Sequence, residues 1–347
     1  MYSKIDKFLL LFTDCKIVDG YVNSAIFDFS RQENSNLIPK SYSDFIEKCK
    51  VSSISDIFKT LKNKDEKVIV NDYIQFTIEN EFGFMCNKEI KNNFTDLLKN
   101  PNSPEYIDNC ILELSGFDIQ KMKKIVEIFE VLMLSSLEIR ITTIKLNELS
   151  EFLNLFSVSI INSIQIHIEK IEDSFNMKKI LDIKNTNKRI KRISIYDNKI
   201  LIENSENNIY FETISLENTL NKPTIITKII NISHYLESLS KNTYFNKKIF
   251  IDKQGNIKSA PELNAFSYNI EDIKKPNDVF KILDENFKYY WNISKNKIHV
   301  CKDCEFRNVC FDNRIPNKSV DNMFYLEEEC SYNPYIGKYR DYFILRC

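Results

Sequence analysis

The chain has 347 residues, and its 48 basic side chains nearly balance its 49 acidic ones, which gives a formal net charge of −1. A balanced charge creates no net field that would attract nucleic acid or an anionic membrane, so we expect neither as a partner. Only five glycines occur, and they are too scattered to form the glycine-rich loops of the common nucleotide-binding enzymes, so that class of enzyme is disfavoured. The only early apolar run, at 8–12, is short, so we expect a soluble, cytoplasmic protein.

Residues 1–100 predict a small winged-helix-like module. Strand-like runs at 7–13 and 24–29 are joined through Asp19-Gly20, a turn dipeptide that favours a hairpin. Helical patterns follow at 41–49, 53–61 and 68–80, and serines open the first two of them. The Pro-Asn-Ser-Pro stretch at 101–104 then predicts a domain boundary.

Residues 105–241 alternate between strand patterns and helix patterns. Strands are predicted at 110–114, 137–141, 163–168 and 193–196. Helices are predicted between them at 118–133, 146–155 and 174–183. Repeated strand–helix units imply a parallel sheet with right-handed crossovers, either open or curled towards a barrel.

Three later patterns complete the prediction. Residues 199–214 predict a hairpin inserted into the alternation, which a strand at 224–230 and a helix near His234 then resume. After residue 242 we expect short strands at 248–252 and 256–258. A helix at 277–291 is predicted to lead into a cysteine-rich segment.

That segment holds four of the nine cysteines, Cys301, Cys304, Cys310 and Cys330. Cys301-Lys-Asp-Cys304 is a Cys-x2-Cys knuckle, in which both sulfurs face one metal and backbone amides bond to the thiolates. We predict that the four cysteines bind one metal centre. Spacing alone leaves zinc and an iron-sulfur cluster both open, because zinc ribbons usually repeat the Cys-x2-Cys pair and this chain does not.

The other cysteines are predicted to be reduced thiols. Cys15, Cys49, Cys86 and Cys110 are scattered in apolar segments, which suits core residues better than a disulfide framework. Cys347, the last residue, lies outside the four-ligand pattern and is most simply a free thiol.

The run Cys301-x2-Cys304-x5-Cys310, with Cys330 downstream, resembles the second half of a SPASM domain, the auxiliary iron-sulfur module of radical SAM enzymes that modify peptides. A complete SPASM domain also has a cysteine before a Gly-x4-Cys and another cysteine four residues after the x5 cysteine. This chain has Gly255-x4-Ala260 and Arg314 at the last two of these places. The resemblance therefore implies one [4Fe-4S] cluster with all four ligands, and a second cluster site that has lost its ligands.

The resemblance is more specific to the SPASM proteins of grasp-with-spasm systems, which accompany an ATP-grasp ligase and a small precursor peptide. It is carried by five runs, at 242–252, 255–261, 301–307, 312–316 and 329–335. It covers about 242–339, and it implies a SPASM-like domain at 242–347. More diffusely, the body at 105–241 resembles the partial (β/α) barrel of radical SAM proteins, and residues 1 to about 90 resemble a precursor-recognition winged helix.

Radical SAM chemistry needs Cys-x3-Cys-x2-Cys, and this run occurs nowhere in the sequence, so we expect no SAM-binding cluster. We therefore predict a graspetide-type peptide maturation protein that binds precursor peptide and assists the ATP-grasp ligase. The alternative is an enzyme that modifies peptides through the barrel mouth and the metal centre. Acidic residues around Ser115, Thr142, Glu169 and Asp197 would favour that alternative. A third possibility is an unrelated metal-stabilised adaptor.

Three further sites keep open alternatives. His234 and Glu237 form either an acid–base dyad or, more simply, a surface helix pair. His299 either supports the metal ligands or packs in the ordinary way. The strand at 23–29 either offers an exposed edge to which a leader peptide adds by β-augmentation or is paired internally. No catalytic residue is assigned, and the oligomeric state is not predicted.

Overall fold

The computed structural model describes residues 6–31, 35–97, 104–196, 208–212, 215–217, 226–263 and 268–340. The chain forms two compact units. Unit 1 consists of Met1–Pro101, Ile226–Thr243 and Ile293–Cys347, and unit 2 consists of Asn102–Ile225 and Tyr244–Asn292. The three predicted segments are each continuous in sequence, whereas both units are assembled from separate stretches of chain.

The described residues form short strands and mostly short helices. The strands are β1 (Phe8–Leu11), β2 (Cys15–Asp19), β3 (Asn23–Asp28), β4 (Ser35–Pro39), β5 (Gly83–Cys86), β6 (Asn109–Leu114), β7 (Ser136–Ile144), β8 (Ser163–Ile171), β9 (Ile190–Ile195), β10 (Ile209–Phe211), β11 (Ile226–Lys228), β12 (Lys248–Ile251), β13 (Asn256–Lys258), β14 (Tyr268–Asn269), β15 (Cys310–Asp312), β16 (Asn317–Lys318), β17 (Phe324–Tyr325), β18 (Tyr332–Asn333) and β19 (Lys338–Tyr339). The helices are α1 (Lys40–Cys49), α2 (Ile54–Thr60), α3 (Lys64–Glu79), α4 (Lys88–Asn93), α5 (Ile119–Val131), α6 (Leu146–Asn154), α7 (Met177–Thr186), α8 (Ile232–Ser238) and α9 (Val279–Ile282). No helix in the described ranges is both long and apolar enough to cross a membrane.

Unit 1 begins with an antiparallel sheet of order β2-β3-β4. The hairpin at Asp19-Gly20 is confirmed, because Asp19 pairs with Ser24 and the Gly20 amide donates to the Asn23 carbonyl at 2.8 Å. Its first strand was predicted wrongly, however. The run at 8–11 pairs with β5 instead, and β2 supplies the hairpin partner. A local turn signal locates a hairpin, but it cannot show which apolar run pairs across a long loop.

The three N-terminal helices are confirmed. The Ser53 side chain caps α2 by accepting a hydrogen bond from the Asp56 amide. Helix α3 begins four residues before the prediction, because its cap is Asn63 and its first turn is polar, without an apolar repeat. These helices cover one face of the N-terminal strands and bury a core that includes Leu9, Ile26, Tyr42, Phe45 and Ile74.

Unit 2 contains a sheet of order β10-β9-β8-β7-β6-β12-β13-β14. The six strands β10, β9, β8, β7, β6 and β12 run parallel to one another. Strand β13 pairs antiparallel with β12, and β14 pairs antiparallel with β13. The predicted alternation of β6, α5, β7, α6, β8, α7 and β9 is confirmed, so the class is α/β. The described part of the sheet is open, with β10 and β14 at its edges.

Three details of the prediction need correction or lie outside the described residues. Strand β11 does not continue the sheet of unit 2, because it pairs antiparallel with β15 in unit 1. The predicted helix at 277–291 is broken: α9 ends at Ile282, and the Asp284 side chain accepts a hydrogen bond from the Phe287 amide in a turn. The first strand of the predicted hairpin at 199–214 lies outside the described residues.

Candidate metal centre

All four predicted ligand cysteines line one cavity of about 240 Å³ in unit 1. Cys301, Cys304, Cys310 and Cys330 are free thiols, each partly exposed. The fold thus brings together residues that are separated by up to 29 positions in sequence.

A strained turn directs the first cysteine towards the cavity. Val300 has a φ of 66° and a ψ of −50°, and the Cys301 amide donates to the His299 carbonyl at 2.8 Å, as in the rare positive-φ γ-turn. A β-branched residue seldom adopts this conformation, and such strain is typical of functional sites. The turn leads into a 3-10 helix, Cys301–Asp303, which Cys304 ends.

The knuckle has the predicted amide contact with sulfur. The Phe306 amide donates to the Cys304 sulfur over 3.4 Å. Hydrogen bonds from backbone N–H groups to sulfur stabilise thiolates that bind a metal. The Cys304 amide itself donates to the Cys301 carbonyl at 3.0 Å, so the two cysteines form one tight turn.

Cys310 and Cys330 are positioned by short strand pairs. Cys310 begins β15 and pairs with Lys228 of β11. Cys330 lies just before β18, which forms a hairpin with β19. Gly337 in that hairpin has a φ of 65°, a conformation that suits glycine.

The N-terminal hairpin packs against this cysteine-rich segment within unit 1. Phe27 of β3 contacts Phe306, and Phe306 in turn packs edge-on against Tyr332 at a ring distance of 5.0 Å. A methyl group on Gly20 would lie 2.8 Å from the Glu305 nitrogen, so only glycine allows the hairpin turn to approach this closely. The Tyr21 amide also donates to the Asp303 carbonyl at 2.7 Å.

The cavity is electropositive. Its described lining includes no acidic residue, but it includes four cations, Lys228, Lys295, Arg307 and Arg314. Arg314 donates to both carboxylate oxygens of Asp312, at 2.9 and 2.8 Å, and Lys295 donates to the same carboxylate. Such surroundings favour a negatively charged occupant.

Burial changes the acidity of the thiols. It raises the pKa of Cys304 to about 12, and it raises the pKa of Cys310 to about 11 although the nearby Lys295 opposes the change. Without a metal these thiols are therefore protonated at neutral pH. Because ligand thiols must be deprotonated, metal loading would release their protons.

The four thiols line one cavity, but they do not converge on a single point. Within the described ranges, no group of three or more His, Cys, Asp or Glu side chains is placed to hold a metal ion. Four zinc-bound sulfurs would each lie about 2.3 Å from a common centre. The donor set of four cysteines fits a metal–thiolate centre chemically, and the cavity that they help to line has room for more than one atom.

The histidines have other roles. His234 is buried and bonds to the backbone of Cys310, so the interpretation as a surface helix pair with Glu237 is wrong. Burial lowers the pKa of His234 to about 4, although the bond to Cys310 opposes this change. His299 bonds to Asp321 at 3.1 Å and does not line the cysteine cavity.

Unit 2 contains charged side chains along its strands, which bears on the catalytic alternative. Arg140 forms ion pairs with Glu113 at 3.5 Å and Glu138 at 2.6 Å. At the carboxyl ends of the strands, the Thr143 hydroxyl donates to the Ser115 carbonyl, and Asp197 lies outside the described residues. Arg140 carries one positive charge against two carboxylates, so this group keeps one net negative charge, and its ion pairs do not single out a catalytic acid or base.

The cations around the cysteines could not be predicted in full. Arg314 was noted as the residue at the place of a lost cysteine, and Asp312 two positions earlier was the available signal for a buried partner. Nothing in the local sequence of Lys295 distinguishes it from the many exposed lysines.

No protein-family profile matches the chain, and no curated protein matches it. Solved structures that resemble it include three of SuiB from Streptococcus suis. The structure of SuiB alone is 10% identical, with 87% of this chain and 94% of that chain covered at a TM-score of 0.28. SuiB bound to S-adenosylmethionine is 10% identical, covering 88% and 95% at 0.28. SuiB bound to the precursor peptide SuiA is 11% identical, covering 87% and 94% at 0.29. At TM-scores this low, the likeness does not establish a shared fold.

Proposed function

We propose that this chain is a cytoplasmic peptide maturation protein of a graspetide-type pathway, which binds a precursor peptide and assists an ATP-grasp ligase. The observation that carries the proposal is the cavity that collects Cys301, Cys304, Cys310 and Cys330, because these cysteines carry the SPASM-like spacing. The cationic lining of the cavity and the hydrogen bond from the Phe306 amide to the Cys304 sulfur suit a metal–thiolate centre.

The proposed centre is one [4Fe-4S] cluster held by the four cysteines. The cavity of about 240 Å³ that the four cysteines help to line has more room than one zinc ion bound at about 2.3 Å needs, which favours a multi-atom cluster. With four thiolate ligands the cluster would have no open coordination position, which favours a structural or docking role. The cluster would supply links between the 3-10 turn, β15 and the loop before β18.

The proposed peptide site lies on the N-terminal sheet, but not where the sequence suggested. Strand β3 is central, with β2 on one side and β4 on the other, so the leader peptide cannot add to residues 23–28. Among the described strands of this sheet β4 lies at an edge, and its Leu37 is 52% exposed. We place the added peptide strand on this edge.

Helix α3 provides an apolar surface near the end of β4. The Ser41 hydroxyl, two residues after β4, bonds to the Tyr73 hydroxyl of α3 at 2.6 Å. Ile69, one helical turn before Tyr73, is 46% exposed. An extended peptide on β4 could therefore hydrogen-bond to the strand edge and place an apolar side chain against α3.

The proposal assigns crosslinking to the partner. The sequence lacks Cys-x3-Cys-x2-Cys and a phosphate-binding loop, so ester or amide formation at the expense of ATP would be performed by the ATP-grasp ligase. The chain would hold the peptide and bring it to that ligase.

Reconstitution tests the proposal. A precursor peptide and an ATP-grasp ligase from the same gene neighbourhood are incubated with ATP and magnesium, with or without this chain. The mass of the peptide is then measured by mass spectrometry. We expect loss of one water per crosslink, much faster when the chain is present. Leu37→Lys should weaken binding of the labelled peptide, whereas Val158→Lys, at an exposed apolar residue in unit 2, should not. Equal crosslinking with and without the chain would reject the assisting role.

A further inference from the structure

Beside its four cysteines, the cysteine cavity has an excess of buried positive charge. Lys295, Asp312 and Arg314 form one network whose side chains are 9%, 0% and 6% exposed. Arg314 binds both oxygens of the carboxylate and Lys295 binds one of them. One carboxylate neutralises only one of the two cations, so a single positive charge remains.

That charge is not neutralised elsewhere in the described structure. Arg314 also donates to the Glu328 carbonyl oxygen, which carries no net charge. The described residues provide no second carboxylate in an ion pair with Lys295 or Arg314. Both cations line the cavity, whose other described lining residues include the four cysteines but no acidic side chain. A buried charge without a counter-charge is costly, so this arrangement calls for an anion.

We propose that Lys295 and Arg314 are positioning residues that balance the negative charge of the metal–thiolate centre. The inference rests on the proposed function, since it needs that centre. Four thiolates around a core of charge 2+ carry two excess negative charges, whether the core is zinc or a cluster. Arg314 stands where a complete SPASM domain has a cysteine ligand, and in this proposal it supports the metal centre that the other four cysteines form.

The proposal predicts that the effect of removing a cation depends on metal loading. In the loaded protein, loss of one cation leaves the anionic centre less balanced, so the metal is held less tightly. A reducible cluster then also becomes harder to reduce, because a nearby positive charge stabilises its more negative, reduced state. In the metal-free protein the same substitution removes the excess charge and leaves a balanced pair.

The test compares Lys295→Met and Arg314→Gln with the wild type and with Arg314→Lys, which keeps the charge. Each full-length protein is purified without oxygen, and its rate of metal loss to a chelator is measured. If the centre is coloured, its reduction midpoint is measured by titration with dithionite. Folding is checked by resistance of Cys49, which is fully buried in unit 1, to alkylation.

We expect Lys295→Met and Arg314→Gln to lose metal about 10- to 100-fold faster than wild type and to shift the midpoint to more negative potentials. Arg314→Lys should stay close to wild type. If both neutral variants are folded and keep wild-type metal loss and midpoint, the inference is overturned while the metal centre stands. If the wild type binds no metal, the proposed centre is rejected and the inference with it. Should one neutral variant fail to fold, the other carries the same comparison against Arg314→Lys.

Discussion

Two buried lysines, one in each unit, show how differently the molecule accommodates the same charge. Lys295 in unit 1 is 7% exposed; burial lowers its pKa, but the nearby Cys310, the Asp312 carboxylate and Cys301 outweigh burial and leave that pKa raised. Lys248 in unit 2 is 8% exposed, and burial lowers its pKa to about 8. Its ammonium lies 3.2 Å from the centre of the Tyr244 ring, without an ion pair to any described carboxylate.

Lys295 is buried beside a carboxylate that binds it, whereas Lys248 is buried without an ion pair to any described carboxylate. Unit 1 surrounds its buried cations with an acid and four thiols, in a region that also contains a strained valine. Regions that break several local rules at once are often functional sites. Unit 2 follows a regular strand–helix alternation, and in its described part the charges of Glu262 and Glu138 only partly offset the burial of Lys248. Unit 1 is therefore where we place the site.

The largest effect is expected for Asp312→Asn in the metal-free protein. This substitution leaves two buried cations without their shared acid, so we expect a loss of about 3–5 kcal/mol in the free energy of unfolding of unit 1. Alkylation of Cys49 as a function of urea reports on that unit. Asp321→Asn, on an exposed acid that bonds to His299, is the matched control. Equal stabilities of the two variants would show that the buried network does not support unit 1.

Lys248→Met should have an intermediate effect of opposite sign. Replacing a buried ammonium that has no ion pair among the described residues with an apolar chain of similar length should raise the stability of unit 2 by about 1–3 kcal/mol at pH 7. Fluorescence of Trp291, the single tryptophan, reports on unit 2 in urea. Lys253→Met, at an exposed lysine, serves as the control.

The pH dependence gives the same prediction a second check. Between pH 8 and pH 10.5 the unfolded chain holds the proton of Lys248 more tightly than the folded chain does, so the stability contributed by this site increases with pH. Below pH 8 both states are protonated and the cost of burial is present in full. The increase should be missing from Lys248→Met. Parallel pH profiles of the wild type and the variant would contradict a lowered pKa of Lys248.

The smallest effect is expected for Val300→Gly. Glycine adopts a φ of 66° without the strain of a β-branched side chain, and Val300 is 43% exposed, so little packing is lost. We expect unit 1 to gain about 0.5–1 kcal/mol. Val51→Gly, at a more exposed valine in unit 1 without positive φ, should instead lose a little stability. A loss of similar size in both variants would argue against strain before Cys301.

Regular apolar periodicity predicted much of unit 2. Strands β6 to β9 and helices α5 to α7 were found in place because each combines a regular burial pattern with a clear boundary. The errors involved pairing over long distances. The sequence of β1 could not show that it pairs with β5, and that of β11 could not show that it leaves the sheet for β15.

The candidate site was predictable only in its sulfur atoms. The spacing around Cys301, Cys304 and Cys310 indicated a shared site, and the fold places these cysteines and Cys330 on one cavity. The charges around them come from residues whose partners are set by tertiary packing. Lys295 lies 17 positions from Asp312, so no local pattern connects them.

The most direct test of the account is the metal content and visible spectrum of protein purified without oxygen, measured alongside Cys304→Ser. We predict a brown protein with about four irons per chain, which Cys304→Ser loses and Cys347→Ser, outside the predicted ligand set, retains. Colourless protein with one zinc would keep the four-cysteine site but reject the cluster. Wild-type protein with no bound metal would contradict the central claim.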